Sequence, residues 1–369
     1  MARWPQEADT LIRIGRENLD QMARDIDELG LDCEFERAGK LNLAATPWQM
    51  KSLRAMQAGY AKAGIATDWL EGAALKARLN SPKYAAGLFE PDYALLHPGK
   101  LVDELARTCR ERDVTLHEQS TVTGLSSRPD AIRLTTASGA IRAKQVILAT
   151  NAAPPLLRRL RPTIIPIFDY ALMTEPLTEA QLAAIGWQER HGVADSGNQF
   201  HYSRKTADNR ILWGGYDAVY HYGSRRDVAL FNRPETFDRL RANFFAAFPA
   251  LKGTEFSHAW GGIIDTSARL TFFAGTALQG RLAYALGFTG QGVSASRFAA
   301  LTMLDLLQGV ETERTRLRML RTRPVPFPPE PIRSIVISWA QNDLSREDQT
   351  GERSLLLRSL DRFGIGFGS

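Results

Sequence analysis

Leu282-Ala-Tyr-Ala-Leu-Gly-Phe-Thr-Gly-Gln-Gly-Val293 runs straight into Ser294-Ala-Ser-Arg-Phe-Ala-Ala-Leu-Thr-Met-Leu-Asp-Leu-Leu-Gln-Gly309. The first five residues are apolar and read as a buried strand. Gly287, Gly290 and Gly292 form a turn, and a helix follows. Glycine lets a backbone turn tightly and approach a flat or anionic ligand. The helix start then aims free N–H groups, with the positive end of the dipole behind them, at the same place.

Such an array suits a phosphate, a carboxylate, or the N1–C2=O edge of a flavin, where negative charge grows on reduction. Tight strand–helix packing is the competing reading. The spacing G-x-x-G-x-G is not the G-x-G-x-x-G of a dinucleotide fingerprint, and no acid stands convincingly where a ribose would need it.

Outward from this unit, Val146-Ile-Leu-Ala-Thr150 reads as a second buried strand of a parallel sheet. The short runs before it, VTLHE (114–118), TVTGL (121–125) and AIRLTTAS (131–138), read as an antiparallel meander. From 163 to 265, strand-like runs and one helix (235–247) suggest a mixed or antiparallel sheet carrying a substrate cavity. Upstream, Leu11, Ile14, Leu19, Met22, Ile26 and Leu29 recur at helical spacing up to a stop at Gly30. A strand follows at 39–44, and Thr46-Pro47 opens another helix. Five prolines (Pro324, Pro326, Pro328, Pro329, Pro331) favour an extended stretch before two helical segments.

The 369 residues suggest two domains or three, and 44% hydrophobic with 24% charged residues exclude a largely disordered chain. No apolar run approaches the ~18 residues of a spanning helix. Nothing at the start reads as a secretory signal, and Cys33 and Cys109 cannot build a disulfide framework, so a cytoplasmic setting is expected. The net charge of +5 reflects an arginine excess spread along the chain, which favours a solvated surface over nucleic-acid binding, the Arg-rich stretch 314–323 included. The six histidines show no metal pairing and no G-x-S-x-G elbow is present, so no metal site is expected and the catalytic residues stay unassigned.

Tyr202, Arg204, Lys205, His201 and His221 fall on the expected substrate sheet, either as a cavity wall or as ordinary strand residues. Trp260-Gly-Gly-Ile-Ile-Asp265-Thr266 sets an aromatic beside two glycines, which shapes a flat pocket or simply ends a strand.

Together, HPGKLVDELARTCRERDVTLHE, IRAKQVILATNA, WGGIIDTSARLTFFAG and LAYALGFTGQGVSASRFAALTMLDLL, in that order, resemble the glycine/D-amino-acid oxidase (DAO) superfamily of FAD-dependent oxidoreductases, in its gamma-glutamylputrescine-oxidase-like branch. The resemblance covers essentially the whole chain. It implies an α/β fold with an α+β substrate part, in which a Rossmann-like FAD domain is interleaved with a mixed-sheet substrate domain. It implies oxidation of a C–N bond of an amine or amino acid by hydride transfer to non-covalent FAD, with oxygen or another acceptor taking the electrons. The implied division is 1–38, 91–160 and 266–322 for the FAD domain, 39–90 and 161–265 for the substrate domain, and 323–369 for a tail.

By the same resemblance, Gly287, Gly290, Gln291, Gly292 and Val293 contact the flavin, with Thr150, Asn151, Ala152, Gly261 and Gly262 near it. Tyr202, Arg204, Trp260 and Ile264 are the substrate-pocket candidates. Amino-acid oxidases of the superfamily often carry a carboxylate-binding arginine where this chain has Ile264, which tilts the expectation toward an amine. Members also begin with a strand and G-x-G-x-x-G; nothing before Val114 fits that pattern. FAD binding is therefore expected once a βαβ unit of at least ~30 residues is restored. The alternative is a non-catalytic binding or scaffold remnant of the fold.

Overall fold

A computed structural model describes residues 3–362 and 365–366. The strands are β1 (Lys40–Ala44), β2 (Asp68–Glu71), β3 (Ala86–Glu90), β4 (Gly124–Ser127), β5 (Ile132–Thr135), β6 (Ala140–Ala143), β7 (Val146–Leu148), β8 (Ile164–Thr174), β9 (Gly192–Asp195), β10 (His201–Lys205), β11 (Ile211–Gly215), β12 (Phe256–Ser267), β13 (Phe273–Ala277) and β14 (Leu282–Leu286). They form three sheets. Eight strands run in the order β12-β8-β11-β10-β9-β1-β3-β2, three as β13-β14-β7, and three as β4-β5-β6. The large sheet is mixed: β1 pairs with β9 in parallel and with β3 antiparallel. The fold is the expected mixture of helices with mixed sheets.

The apolar run at 282–286 becomes β14, buried at every residue. It pairs in parallel with β7 and antiparallel with β13. The second strand is shorter than its apolar run suggests. It stops at Leu148, and Asn151, at φ +46°, turns the chain away. The meander is present as β4-β5-β6, but 114–118 forms no strand and β4 starts only at Gly124. Val114 and Leu116 stay exposed, so alternation there finds no neighbour to pair with.

Of the helices, α1 (Ala8–Leu29) ends as expected at Gly30, which takes the left-handed conformation. Thr46 caps α2 (Pro47–Lys62), whose first residue is the proline. Asn18 on α1 donates to the Ser294 carbonyl at 2.9 Å, and Arg297 reaches Asp25 at 2.6 Å. These contacts anchor α1 on the helix that follows the glycine turn. One face of the large sheet is sealed by the helix Pro234–Ala247, whose Leu240 and Phe244 pack with Phe168, Tyr170 and Trp213. Each such side chain contributes roughly 1.5–3 kcal/mol on burial.

The proline-rich tail crosses the opposite face. Phe327 and Ile337 pack with Ile165 and Ile167. Asp348 then accepts from the Asn198 and Gln199 backbone N–H groups at 2.7 and 2.8 Å. In the Arg-rich stretch, Arg314 pairs with Asp305, while Arg316 and Arg321 reach Glu311. Among the described residues, no helix is long and apolar enough to cross a membrane.

Candidate active site

The glycine turn is held from below by Asp265, on β12. Its buried carboxylate accepts from Gly287 N–H at 2.5 Å and from Phe288 N–H at 3.1 Å, and its carbonyl accepts from Thr289 N–H at 3.1 Å. Burial pushes the Asp265 carboxyl up to about 6, although these N–H bonds act in the opposite direction. Gly287 (φ +81°) admits no side chain: a Cβ would stand 2.8 Å from Ser267 and 3.1 Å from the Phe273 ring. Gly290 (φ +77°) is also left-handed, but a Cβ there would meet only Ile264, at 3.6 Å. The helix Gly292–Gln308 begins at Gly292 with no side-chain cap from Gln291, which leaves its first N–H groups unclaimed by any cap. Val293, in that first turn, is half exposed.

Strand register places the pocket candidates. Antiparallel partners share a face. Trp260 is opposite Ala171, Gly262 opposite Asp169, and Ile264 opposite Ile167. Ala171 is in turn opposite Gly214, and Gly214 opposite Tyr202, while Arg204 is opposite Leu212 and Leu212 opposite Met173. Tyr202, Arg204, Trp260 and Ile264 therefore spring from one face of the sheet, the face turned away from the aromatic core. Ile263, the alternate residue, packs into that core. Lys205 and His201 do not share the candidate face; His201 stacks on Trp213 inside. His221 lies beyond the sheet, in the connection after β11.

On this face the Tyr202 ring covers Gly214, and its hydroxyl donates to Asp169 at 2.7 Å. Arg204 donates to the Leu96 carbonyl. Trp260 is 40% exposed and lines an open groove of about 610 Å³ with Phe231, Phe237 and Arg241 at the sheet's outer edge. Gly261 faces the other way, where a Cβ would strike the Phe231 carbonyl and the Tyr170 ring, both at 2.8 Å; at Gly262 a Cβ would meet nothing within 4 Å. Ala152 is buried, and its carbonyl accepts from Arg226 Nε at 2.5 Å. Thr150 and Asn151 lead into it from β7.

Two groups escaped the sequence reading. Asp265 was visible in the GGIIDT run, but its partners lie 22 and 23 residues away. Asp169 sits between apolar neighbours in β8, where alternation alone marks it as a polar residue on the far face. An open floor at Gly262, a left-handed glycine over Ile264 and an uncapped helix start fit a flat group with an electron-rich edge.

Comparison with known proteins agrees. A family model described as "DAO: FAD dependent oxidoreductase" matches residues 2–306. The probable oxidoreductase OrdL of Haemophilus influenzae is 26% identical over 314 residues, covering 82% of this chain and 68% of that protein. Gamma-glutamylputrescine oxidoreductase of Escherichia coli is 28% identical over 288 residues, covering 76% of this chain and 63% of that protein. The chain thus spans about two thirds of the length of these relatives. Among solved structures, glycine oxidase from Geobacillus kaustophilus superposes with a TM-score of 0.71 at 20% identity, over 84% of this chain and 82% of that one. Its family model, its relatives and its fold agree that this chain belongs to the DAO family of FAD-dependent oxidoreductases.

Proposed function

We propose that this chain oxidises the C–N bond of an amine on the far face of its large sheet. Hydride leaves the carbon beside the nitrogen, the nitrogen lone pair forms C=N, and water then hydrolyses the imine. Bound FAD supplies the two-electron acceptor, and oxygen or another oxidant restores it. Gly290, Gln291, Gly292 and Val293 would hold the flavin, with Gly287 shaping the turn. Thr150, Asn151 and Ala152 would flank it, and Gly261 and Gly262 would lie beneath it. Ile264 and Ile167 give the reacting carbon an apolar floor, which excludes water and keeps a bound amine unprotonated. Arg204 and Tyr202 line the remainder of the pocket. The observation that supports this reading above others is the pinned glycine turn facing Ile264 across an open floor, in a chain of this family.

The relatives are longer than the stretch they share with this chain. The reading therefore includes a glycine-rich βαβ unit, additional to the residues present, as the cradle for the FAD pyrophosphate. The test is visible flavin absorbance of the purified chain beside a version extended upstream in frame, followed by anaerobic addition of amines. We expect the extended version to be yellow and to bleach with an amine. Absence of flavin from both versions after FAD addition, or no bleaching by any amine or amino acid, would overturn the reading.

A further inference from the structure

A second cavity, of about 150 Å³, lies where the tail helix Ile332–Thr350 meets the end of the large sheet. Gln49, Lys83, Asp195, His201, Tyr216 and Asp348 line it, and no residue of the glycine turn does. A void of this size admits about six non-hydrogen atoms. It is separate from the candidate face: His201 lines it, whereas the next residue, Tyr202, points the other way to Asp169.

The charged acceptors in the lining are already engaged. Asp195 Oδ1 accepts from the His201 backbone N–H at 2.8 Å. Its Oδ2 accepts from the His201 ring and from Lys83 Nζ, both at 3.0 Å, and from the Tyr84 hydroxyl at 3.3 Å. The other His201 nitrogen accepts from Asn243 at 3.0 Å. Each Asp348 oxygen takes one backbone N–H, from Asn198 or Gln199.

The donors are not engaged. Lys83 carries three N–H bonds and spends one on Asp195. Gln49 is only 7% exposed. Its Oε1 accepts from the Ala45 N–H at 2.7 Å, which fixes the orientation of the amide, and its Nε2 meets no acceptor among the described residues. A buried amide left in that state is costly unless something in the cavity accepts from it. Tyr216 adds an independent sign. Its backbone is left-handed, at φ +68°, a strained state for a bulky residue, and its ring lies on the His201 ring at 5.1 Å. Strain of this kind collects at ligand clamps.

Charge decides what the donors receive. Lys83 offsets Asp195, and Asp348 has no ion-pair partner among the described residues. An acceptor group must therefore turn toward Lys83 and Gln49, and a group that donates must face Asp348, whose oxygens keep lone pairs beyond their one N–H each. We propose that this cavity is a second ligand site, apart from the flavin face, for a small hydroxycarboxylate: its carboxylate accepts from Lys83 and Gln49, and its hydroxyl donates to Asp348. The bound molecule would join the tail helix, the start of α2 and the turn before β10.

The test is calorimetric titration of the chain with glycolate, acetate and ethylene glycol, which share two carbons and differ in their end groups. Wild type is expected to bind glycolate at least tenfold tighter than either of the others. Gln49→Glu keeps the acceptor for Ala45 and replaces the free donor with an acceptor, so it should abolish glycolate binding. Lys83→Met should weaken glycolate at least tenfold. Asp348→Asn should bring glycolate close to acetate. Gly290→Val, on the flavin turn, should bind glycolate as wild type does. Far-UV circular dichroism checks that each variant folds. No glycolate binding to wild type would leave water as the occupant and overturn the proposal. Equal affinity for glycolate and acetate in wild type, or unchanged glycolate affinity in a folded Gln49→Glu, also overturns it. Loss of glycolate in Gly290→Val would place the ligand on the flavin face and overturn it as well. None of these outcomes bears on flavin binding or amine oxidation, which are read separately.

Discussion

Asp265 and Gly287 are joined by a 2.5 Å hydrogen bond from a backbone N–H to a buried carboxylate, and this bond ties the edge strand of one sheet to the turn that follows the central strand of another. The same carboxylate accepts from Phe288. Hydrogen bonds to a charged acceptor contribute roughly 1.5–3 kcal/mol each, and removing the acceptor strands two N–H donors. We expect Asp265→Ala to cost on the order of 3 kcal/mol in chemical denaturation. A loss below about 0.5 kcal/mol would mean that the turn is held by its glycines alone.

The same carboxylate gives a pH dependence. Its folded-state value, about 6, lies above the usual carboxylate range because of burial. The folded protein therefore holds that proton more tightly than the unfolded chain does. The stabilisation is complete below about pH 4 and is lost as pH rises through 6, amounting to about 3 kcal/mol over some two pH units. The stability difference between wild type and Asp265→Asn should shrink over that interval. A difference that stays flat from pH 4 to 7 would place the Asp265 titration elsewhere.

Much of this architecture could be read from local pattern. The apolar run 282–286 leading to Gly287 specified strand, turn and helix, because burial on all sides leaves one outcome for such a run. Thr46 with Pro47, and Gly30, marked helix ends through backbone chemistry that acts within a few residues. The strand at 114–118 failed because alternation says nothing about whether a partner strand exists. Tyr202, Arg204 and Ile264 were named individually, but that they share a face depends on registers among β8, β10, β11 and β12. The role of Asp265 depends on a contact across 22 residues, and no periodicity carries that information.

Gly290→Val should weaken flavin binding tenfold or more in the upstream-extended protein. Gly290 has φ +77°, where a β-branched residue is strained by about 1–3 kcal/mol. Space is not the obstacle, since only Ile264 lies near the added carbon. The turn must therefore change shape, or the side chain must occupy the open floor. Fluorescence-monitored FAD titration checks this, and equal affinity would remove Gly290 from the flavin contact.

Gly214→Ala tests the floor from beneath Tyr202. A Cβ at 214 would stand 2.5 Å from the Tyr202 ring, so the ring must lift and its hydroxyl must leave Asp169. We expect a stability loss of about 1–3 kcal/mol, as for other overpacked sites. The Tyr202 phenol, held well above its usual range by burial, should also titrate lower in the variant. Ultraviolet titration of tyrosine reads this shift; an unchanged alkaline titration would show that the ring stays where it is.

On the opposite face, Asp195 is paired with the ring of His201 at 3.0 Å and with Lys83 Nζ at 3.0 Å. Burial alone would raise its carboxyl, but the His201 hydrogen bond and the Lys83 charge outweigh it and bring the group down to about 2. Burial also lowers the His201 ring value, so the histidine is neutral near pH 7 and donates a hydrogen bond. A depressed carboxyl contributes stability that is present above the unfolded value, near pH 4, and is lost as pH falls toward 2. This sign is opposite to that of Asp265. Lys83→Met removes one partner and leaves the anion buried, so we expect a loss on the order of 2 kcal/mol at neutral pH, discounted for the partial exposure of the lysine. The variant should also lose less of its remaining stability than wild type between pH 4 and 2, because its Asp195 titrates nearer the unfolded value. Parallel acid-denaturation curves for the two proteins would refute this assignment, because Lys83 would then contribute nothing to the depression of Asp195.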